Sequence, residues 1–431
     1  MSTPLDHFGY RRGTFSAEKV SLSKLAEEFG TPLYVYSKAA FSEPFNQLTQ
    51  ALGDVPHLLC FAVKANSNLS VLAHLAKIGA GMDLVSSGEL KRALRAGSAS
   101  SKIVFSGVGK TRSEIEEALA ASIFSFNVES ISELSLLSEC AMAVGKTARV
   151  ALRFNPDVDA QTHPYISTGL KENKFGLDRS EILKIGSQKA KYPGVEISGL
   201  SIHIGSQILS LSPFEDAFIK TKRMAAELEK KLGHPLSFLD LGGGVGITYD
   251  REKPPTIAAY AKLITKHFGS KSDLKSRYRI LLEPGRMFAG NAGVLLSRVL
   301  HRKPRKGKDF VIVDAGMNDL ARPALYGSYH GILPVEKSRG LGKQSKCDIV
   351  GPVCESSDCF AKSRKFPDRL RAGDLIAFLS TGAYGMTMAS EYNTRSRPAE
   401  ILVDQGHYEL VRRRETFEEM IDAEVIRGKL K

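Results

Sequence analysis

Apolar or alternating runs recur at residues 57–63, 81–85, 102–105, 123–128, 148–154, 197–204, 238–241 and 279–282, and each reads as a β-strand. Between most of them the apolar residues take the 3.6-residue spacing or the start signals of helices, over 69–77, 87–96, 113–121, 130–143, 179–189, 213–232 and 256–268. Eight strands alternating with helices predict a (β/α)8 TIM-like barrel. The loops that follow the strands of such a barrel share one rim, which carries the active site. After residue 286 the pattern changes to short strand-like runs at 293–300, 310–313, 347–350, 374–378 and 400–403, which predict a mostly β C-terminal domain closed by a helix over 416–426. At 431 residues the chain exceeds what one barrel needs, which fits this second domain.

Polar chemistry gathers at the strand ends. Lys64 closes the run Leu58-Leu59-Cys60-Phe61-Ala62-Val63. A lysine there is costly to leave charged and unpaired, and its amine suits nucleophilic attack on a carbonyl. Asp83 lies in the second strand, Asn127-Val128-Glu129 ends the fourth and Arg153 the fifth. His203-Ile204-Gly205-Ser206 ends the sixth, Gly242-Gly243-Gly244 the seventh and Glu283-Pro284-Gly285-Arg286 the eighth. Three consecutive glycines let backbone amides approach an anion, and barrels of this kind often hold phosphate near strands seven and eight. A lysine, a phosphate cradle, a flat ring at His203 and a carboxylate at Glu283 are the parts needed to hold pyridoxal 5′-phosphate, the carboxylate keeping the ring nitrogen protonated. Each residue alone also has a plainer reading. Lys64 could reach solvent, the glycines could form a turn, His203 could be a core histidine, and loops are polar anyway.

Together, Phe61-Ala62-Val63-Lys64-Ala65-Asn66, His203-Ile204-Gly205-Ser206, Gly242-Gly243-Gly244 and Glu283-Pro284-Gly285-Arg286 resemble the fold-type III, alanine racemase-like family of pyridoxal phosphate-dependent decarboxylases. The resemblance runs from about residue 32 to about residue 403. His163-Pro164-Tyr165-Ile166-Ser167-Thr168-Gly169 with Lys174-Phe175-Gly176 is similar to the loop of family members that decarboxylate meso-2,6-diaminopimelate to L-lysine. From sequence pattern alone that segment is an irregular, glycine-containing loop.

The resemblance implies that residues 1–38 pack with the β domain, leaving 39–288 as the barrel and 289–431 as the β domain. It implies roles as well. Lys64 would attach the cofactor, Asp83 would lie beside it, His203 would stack on the ring and Glu283 would face the ring nitrogen. Ser206, Gly243, Gly244, Gly285, Arg286 and Tyr384 would surround the phosphate. Arg286, Arg322, Tyr326 and Tyr384 would bind the far end of the substrate, with Arg286, Arg322 and Tyr326 on its carboxylate. Glu355 would bind the amine there, a charge-assisted contact. Cys354 would return a proton after carbon dioxide leaves. The Cys354-Glu355 loop would come from the partner subunit of a homodimer. Without the resemblance, Arg322 reads as a surface ion pair, Cys354 as a buried thiol and Tyr384 as a packing aromatic.

Two rivals stay in view. A basic amino acid or polyamine-type decarboxylase shares the barrel but has no distal carboxylate to bind, so Arg322, Tyr326 and Glu355 favour diaminopimelate. A non-catalytic homologue acting as a binding protein would be expected to have lost Lys64 or Cys354, and both are present.

Composition narrows the classes further. The net charge is +13, much of it in the basic runs 301–308 and 337–346. These read as solvated loops, without the aromatic interleaving of a nucleic-acid surface. No eighteen-residue apolar run predicts a membrane span, and the first residues lack a signal-peptide core. Five cysteines without a pairing framework suggest a reducing cytoplasm; a plastid location stays open if a transit peptide has been removed. Cys354 and Cys359 have no second Cys or His pair nearby, so no metal is expected.

Overall fold

The computed structural model describes residues 5–160, 174–274, 277–305 and 308–426. The chain divides into two compact units. One is Phe41–Thr248 with Glu252–Phe288, and the other is Met1–Ala40, Tyr249–Arg251 and Ala289–Lys431.

The first unit is a closed parallel barrel of eight strands among the described residues. They are β1 His57–Ala62, β2 Gly81–Leu84, β3 Ile103–Phe105, β4 Ser125–Val128, β5 Ala148–Arg153, β6 Val195–Ser201, β7 Phe238–Asp240 and β8 Arg279–Leu282. β8 pairs with β1 to close the ring, Leu281 opposite Leu58. Most of the helices between the strands begin on short polar side chains that cap their free N–H groups. Asn68, Ser86, Thr111, Ser130, Asp178 and Thr256 each accept a backbone hydrogen bond from the first turn. Thr111 and Asp178 do so in reciprocal capping boxes with Glu114 and Glu181.

The barrel interior is graded from apolar to polar. Leu58, Cys60, Val104, Phe124, Ala151, Phe238 and Leu281 form one buried cluster. In it Phe124 meets Phe238 edge to face at 5.1 Å. Emptying a position like Phe238 costs about 3–5 kcal/mol. Toward the strand ends the buried residues turn polar, with Asp83, Asn127, Asp240 and Glu283 all buried.

The second unit holds a nine-stranded sheet. Its path runs Cys359–Pro367, Gln344–Val350, Lys308–Val313, Gly293–Arg305, Leu33–Ser37, Ala399–Asp404 and His407–Arg412, and Leu375–Phe378 and Ile332–Pro334 pair beside it. Leu33–Ser37, from the start of the chain, sits between two late strands, antiparallel to Gly293–Arg305 and parallel to Ala399–Asp404. Phe8–Arg11, Thr14–Ala17 and Val20–Ser21 make a separate small sheet, followed by the helix Leu22–Phe29. Phe8, Phe15, Leu22 and Leu25 share one apolar cluster with Leu33, Val35, Val294 and Ile401.

The closing helix is shorter than its sequence pattern predicts. It spans Phe417–Ile421, not 416–426, and is capped by Thr416. Val425 and Ile426 are exposed, so nothing buries an apolar face that could extend it. Among the described residues no helix is long and apolar enough to cross a membrane.

Candidate active site

Lys64 stands in the turn that follows β1, where Val63–Ala65 forms a single 3₁₀ turn. Its ammonium donates to Asp83 Oδ2 at 2.8 Å. Asp83 is fully buried on β2, while the lysine side chain is 40 % exposed and open to the rim. The second carboxylate oxygen, Asp83 Oδ1, is buried with no hydrogen-bond partner, so the site can accept one more donor than the protein supplies.

Two strands away around the barrel, the glycine loop after β7 is shaped by close backbone approach. Gly242 and Gly244 have φ of 66° and 111°, in the region glycine favours. A Cβ on Gly243 would fall 2.1 Å from the Glu283 carbonyl, and one on Gly244 would fall 2.4 Å from the Gly205 carbonyl. The Gly243 N–H donates to His203 Nδ1 at 3.3 Å, which fixes that nitrogen as an acceptor and sets the ring's orientation. Burial, with Arg153 and Lys64 positive nearby, holds the imidazole pKa well below its ordinary value, so the ring is neutral. Arg286, buried after Gly285, donates from Nη2 to Ser206 Oγ at 3.1 Å. Gly242, Gly243, Gly244 and Gly285 line a small pocket with Leu48 and Met287 at its walls.

Glu283 follows directly on β8 and is buried. Its Oε1 accepts from Asn127 Nδ2 at 3.1 Å and from Ser106 Oγ at 3.3 Å. Burial first, then Asp240 and Asp83, push its pKa well above the carboxylate range. Two buried carboxyl groups, Asp83 and Glu283, thus face Lys64, with Asp240 beside Glu283, a field that favours a further cationic or proton-bearing group. Together with the amide-lined glycine loop, Arg286 and an accessible lysine amine, the residues fit pyridoxal phosphate, with its anionic phosphate, its carbonyl and its protonated ring.

A second charged network borders His203. Arg153 donates to Glu129 Oε1 at 2.8 Å, and Glu129 Oε2 accepts from the Gly176 N–H at 3.2 Å. The Arg153 guanidinium lies 4.9 Å from the Phe175 ring centre. The neighbouring segment 163–169, singled out in the sequence, lies outside the described residues.

The remaining candidates belong to the other unit. Arg322 opens the short helix Arg322–Tyr326 and is buried, and Tyr326 ends that helix. Tyr384 is held at φ 55°, where a side chain is disfavoured, a strain typical of functional positions. Cys354 is exposed, and its N–H donates to Asn393 Oδ1 at 2.9 Å. Glu355, beside it, accepts from Ser357 and pairs with Tyr392; the Ser357 bond first, then Tyr392, lowers its pKa. The loop carrying both is pinned by Asp358, whose two oxygens accept from the Met317 and Val353 N–H groups, both at 2.7 Å.

Sequence reasoning passed over Asp240, Tyr249 and Asp358. Asp240 carried a usable signal, a charged residue inside the apolar run Phe238-Leu239-Asp240-Leu241. The other two have ordinary loop contexts.

Comparison with known proteins agrees with this geometry. Residues 38–290 match the family model of the pyridoxal-dependent decarboxylase, pyridoxal binding domain. A diaminopimelate decarboxylase from Haemophilus influenzae is 46% identical over 418 residues, covering 96% of this chain and 98% of its own. One from Pseudomonas fluorescens is 49% identical, covering 97% of this chain and 99% of its own. Among solved structures, diaminopimelate decarboxylase of M. jannaschii in complex with L-lysine superposes with a TM-score of 0.92 at 38% identity, covering 99% of both chains.

Proposed function

This chain belongs to the pyridoxal-dependent decarboxylase family, among its diaminopimelate decarboxylases, and we propose that it carries out their reaction at the barrel rim around Lys64. The reaction converts meso-2,6-diaminopimelate to L-lysine and carbon dioxide, with pyridoxal 5′-phosphate as cofactor. The observation that carries the location is Lys64 itself, an amine at a strand end, 2.8 Å from a buried carboxylate and open to the rim.

When bound, the cofactor supplies an electron sink for the pair left on the substrate carbon as carbon dioxide departs. Lys64 is its attachment point, and Asp83 orients the amine. The neutral His203 ring would stack against the bound cofactor. Gly243, Gly244, Gly285, Ser206 and Arg286 hold the phosphate, joined by Tyr384. Glu283 holds a proton at the ring nitrogen. We assign Arg286, Arg322, Tyr326 and Tyr384 to the far end of the substrate, its distal carboxylate above all, and Glu355 to the distal amine. Cys354 returns the proton to the carbon that has lost its carboxylate.

Cys354 and Glu355 are exposed in the single chain. Exposure suits residues that serve a neighbour, and we assign them to the partner's site in a homodimer. The five cysteines are all free, which suits a reducing cytoplasm.

Parallel incubation with meso-diaminopimelate, ornithine, arginine and lysine tests the reading. Carbon dioxide should be released from diaminopimelate alone, because a site with a cation for the distal carboxylate is left with unpaired charge by the others. Release from ornithine or lysine at a comparable rate would reject the substrate assignment.

A further inference from the structure

Asp240, Asn127 and Ser106 have no part in the roles above, yet they surround Glu283. Asp240 ends β7 fully buried. Its Oδ1 accepts from the Gly242 N–H at 2.9 Å and its Oδ2 accepts from Asn127 Nδ2 at 3.0 Å. The same amide nitrogen reaches Glu283 Oε1 and Ser106 Oγ, both at 3.1 Å. Asp240 Oδ2 and Glu283 Oε1 thus lie side by side on one nitrogen donor, both buried. Two bare carboxylates held this close and out of water repel each other, which favours a pair that keeps one proton. Burial raises the pKa of both, the direction that favours a proton on the pair.

We infer that Asp240 is a positioning residue for the reaction: through Asn127 and a shared proton it fixes Glu283, and the pair, not Glu283 alone, gives the cofactor's ring nitrogen its proton and holds it there. This rests on the assignment of Glu283 to the ring nitrogen. On cofactor binding the O–H bond of the pair breaks. Its proton bonds the nitrogen lone pair, and the electrons of that bond stay on the carboxyl oxygen. The pair passes from one negative charge to two, and the ring gains one positive charge. The donors needed to carry the second charge are already in place: the Asn127 amide, the Gly242 N–H and the Ser106 hydroxyl. Other groups facing the pair are Asp83, negative, and Lys64, positive, with Cys60 and Tyr260 kept neutral by burial. A second buried negative charge in hydrogen-bond reach strengthens the hold on a ring proton by about tenfold or more.

The test loads the holoenzyme with pyridoxal phosphate labelled with nitrogen-15 in the ring and follows that nitrogen by NMR across pH. In the unaltered enzyme it should stay protonated wherever the protein is folded, and in Glu283→Gln it should not. In Asp240→Asn it should lose its proton about tenfold more readily. Asn127 Oδ1 has no hydrogen-bond partner, so turning the Asn127 amide over gives an asparagine at 240 its bond. A ring nitrogen held as firmly in Asp240→Asn as in the unaltered enzyme overturns the inference and leaves the role of Glu283 standing. The same result in Glu283→Gln removes that role as well. A measurement on the unaltered chain covers the case in which Asp240→Asn does not fold. The infrared carbonyl band of a protonated carboxyl should be present in the apoprotein and disappear when cofactor is added. An apoprotein without that band overturns the inference.

Discussion

The Arg322 Nη1 donates to the Tyr249 hydroxyl at 2.8 Å, and the same guanidinium lies 4.8 Å from the centre of the Tyr249 ring. The tyrosine thus grips the arginine twice, by hydrogen bond and by cation–π contact. His330 in turn meets Tyr249 edge to face at 5.4 Å. Arg322→Met should cost a few kcal/mol in kcat/KM for diaminopimelate, roughly the loss of a buried charged pairing with the distal carboxylate. Tyr249→Phe keeps the ring and removes the bond, and should cost less, about 1.5–3 kcal/mol. Neither change should weaken cofactor binding. Loss of pyridoxal phosphate from Arg322→Met, with normal substrate affinity once reconstituted, would make Arg322 a cofactor residue.

Lys64→Ala should abolish turnover while the chain stays folded. The lysine side chain is 40 % exposed, so the stability lost with its ion pair to Asp83 is small, about 1–2 kcal/mol, and comes from the buried carboxylate left behind. Thermal unfolding and a carbon dioxide assay check both halves. Substantial decarboxylation by the variant would show that another amine attaches the cofactor.

Subunit exchange tests the shared site. Lys64→Ala and Cys354→Ala chains should each be inactive alone. A mixed dimer has one site with both residues intact. Statistical exchange should therefore restore about a quarter of the normal rate, because half the dimers are mixed and each has one working site. No recovery after proven exchange would mean that each chain completes its own site.

Asp319 gives a pH prediction that is independent of catalysis. Burial pushes its carboxyl pKa up to about 7, against the hydrogen bond it accepts from the Gly316 N–H at 2.7 Å. Between the unfolded value of 3.8 and about 7 the folded chain therefore holds more protons than the unfolded one. Stability contributed by this group is full below that window and falls as pH rises through it. Asp319→Asn should flatten the fall. The new amide can be accommodated because Asn318 Oδ1, next to it, has no hydrogen-bond partner. Denaturant unfolding at several pH values checks the slope, and an unchanged slope would mean that Asp319 titrates normally.

The barrel was legible because most of its strands are bounded by turn residues and followed by a capped helix, two signals that reinforce each other. Elements whose sequence lacks a steady apolar alternation were not. His407–Arg412 has no buried residue, and Cys359–Pro367 turns exposed, basic residues outward in its middle, so neither shows an apolar alternation. The helix Lys38–Leu52 contains Pro44, which argues against a helix until tertiary packing overrides it. In the candidate site, Lys64, the glycine triplet and Glu283 stand out because each departs from an apolar strand. Asn127 could be seen at a strand end, but its three acceptors come from Ser106, Asp240 and Glu283, and only the closed ring brings those together. Tyr249 and Arg322 are likewise 73 positions apart, a pairing no local pattern encodes.

The placement of Leu33–Ser37 between Gly293–Arg305 and Ala399–Asp404 has a consequence for biosynthesis. This strand leaves the ribosome among the first, yet its two partners are among the last. At about 5–20 residues per second, the wait for residue 399 is on the order of 20–70 s. During that time Phe41–Thr248 can close much of the barrel, while an apolar strand, Leu-Tyr-Val-Tyr-Ser, stays unpaired until Gly293–Arg305 is made and keeps one edge open after that. A nascent chain halted before Ala399 keeps that edge open to other chains. Aggregation of truncated or slowly translated copies should therefore begin at Leu33–Ser37 and not in the barrel.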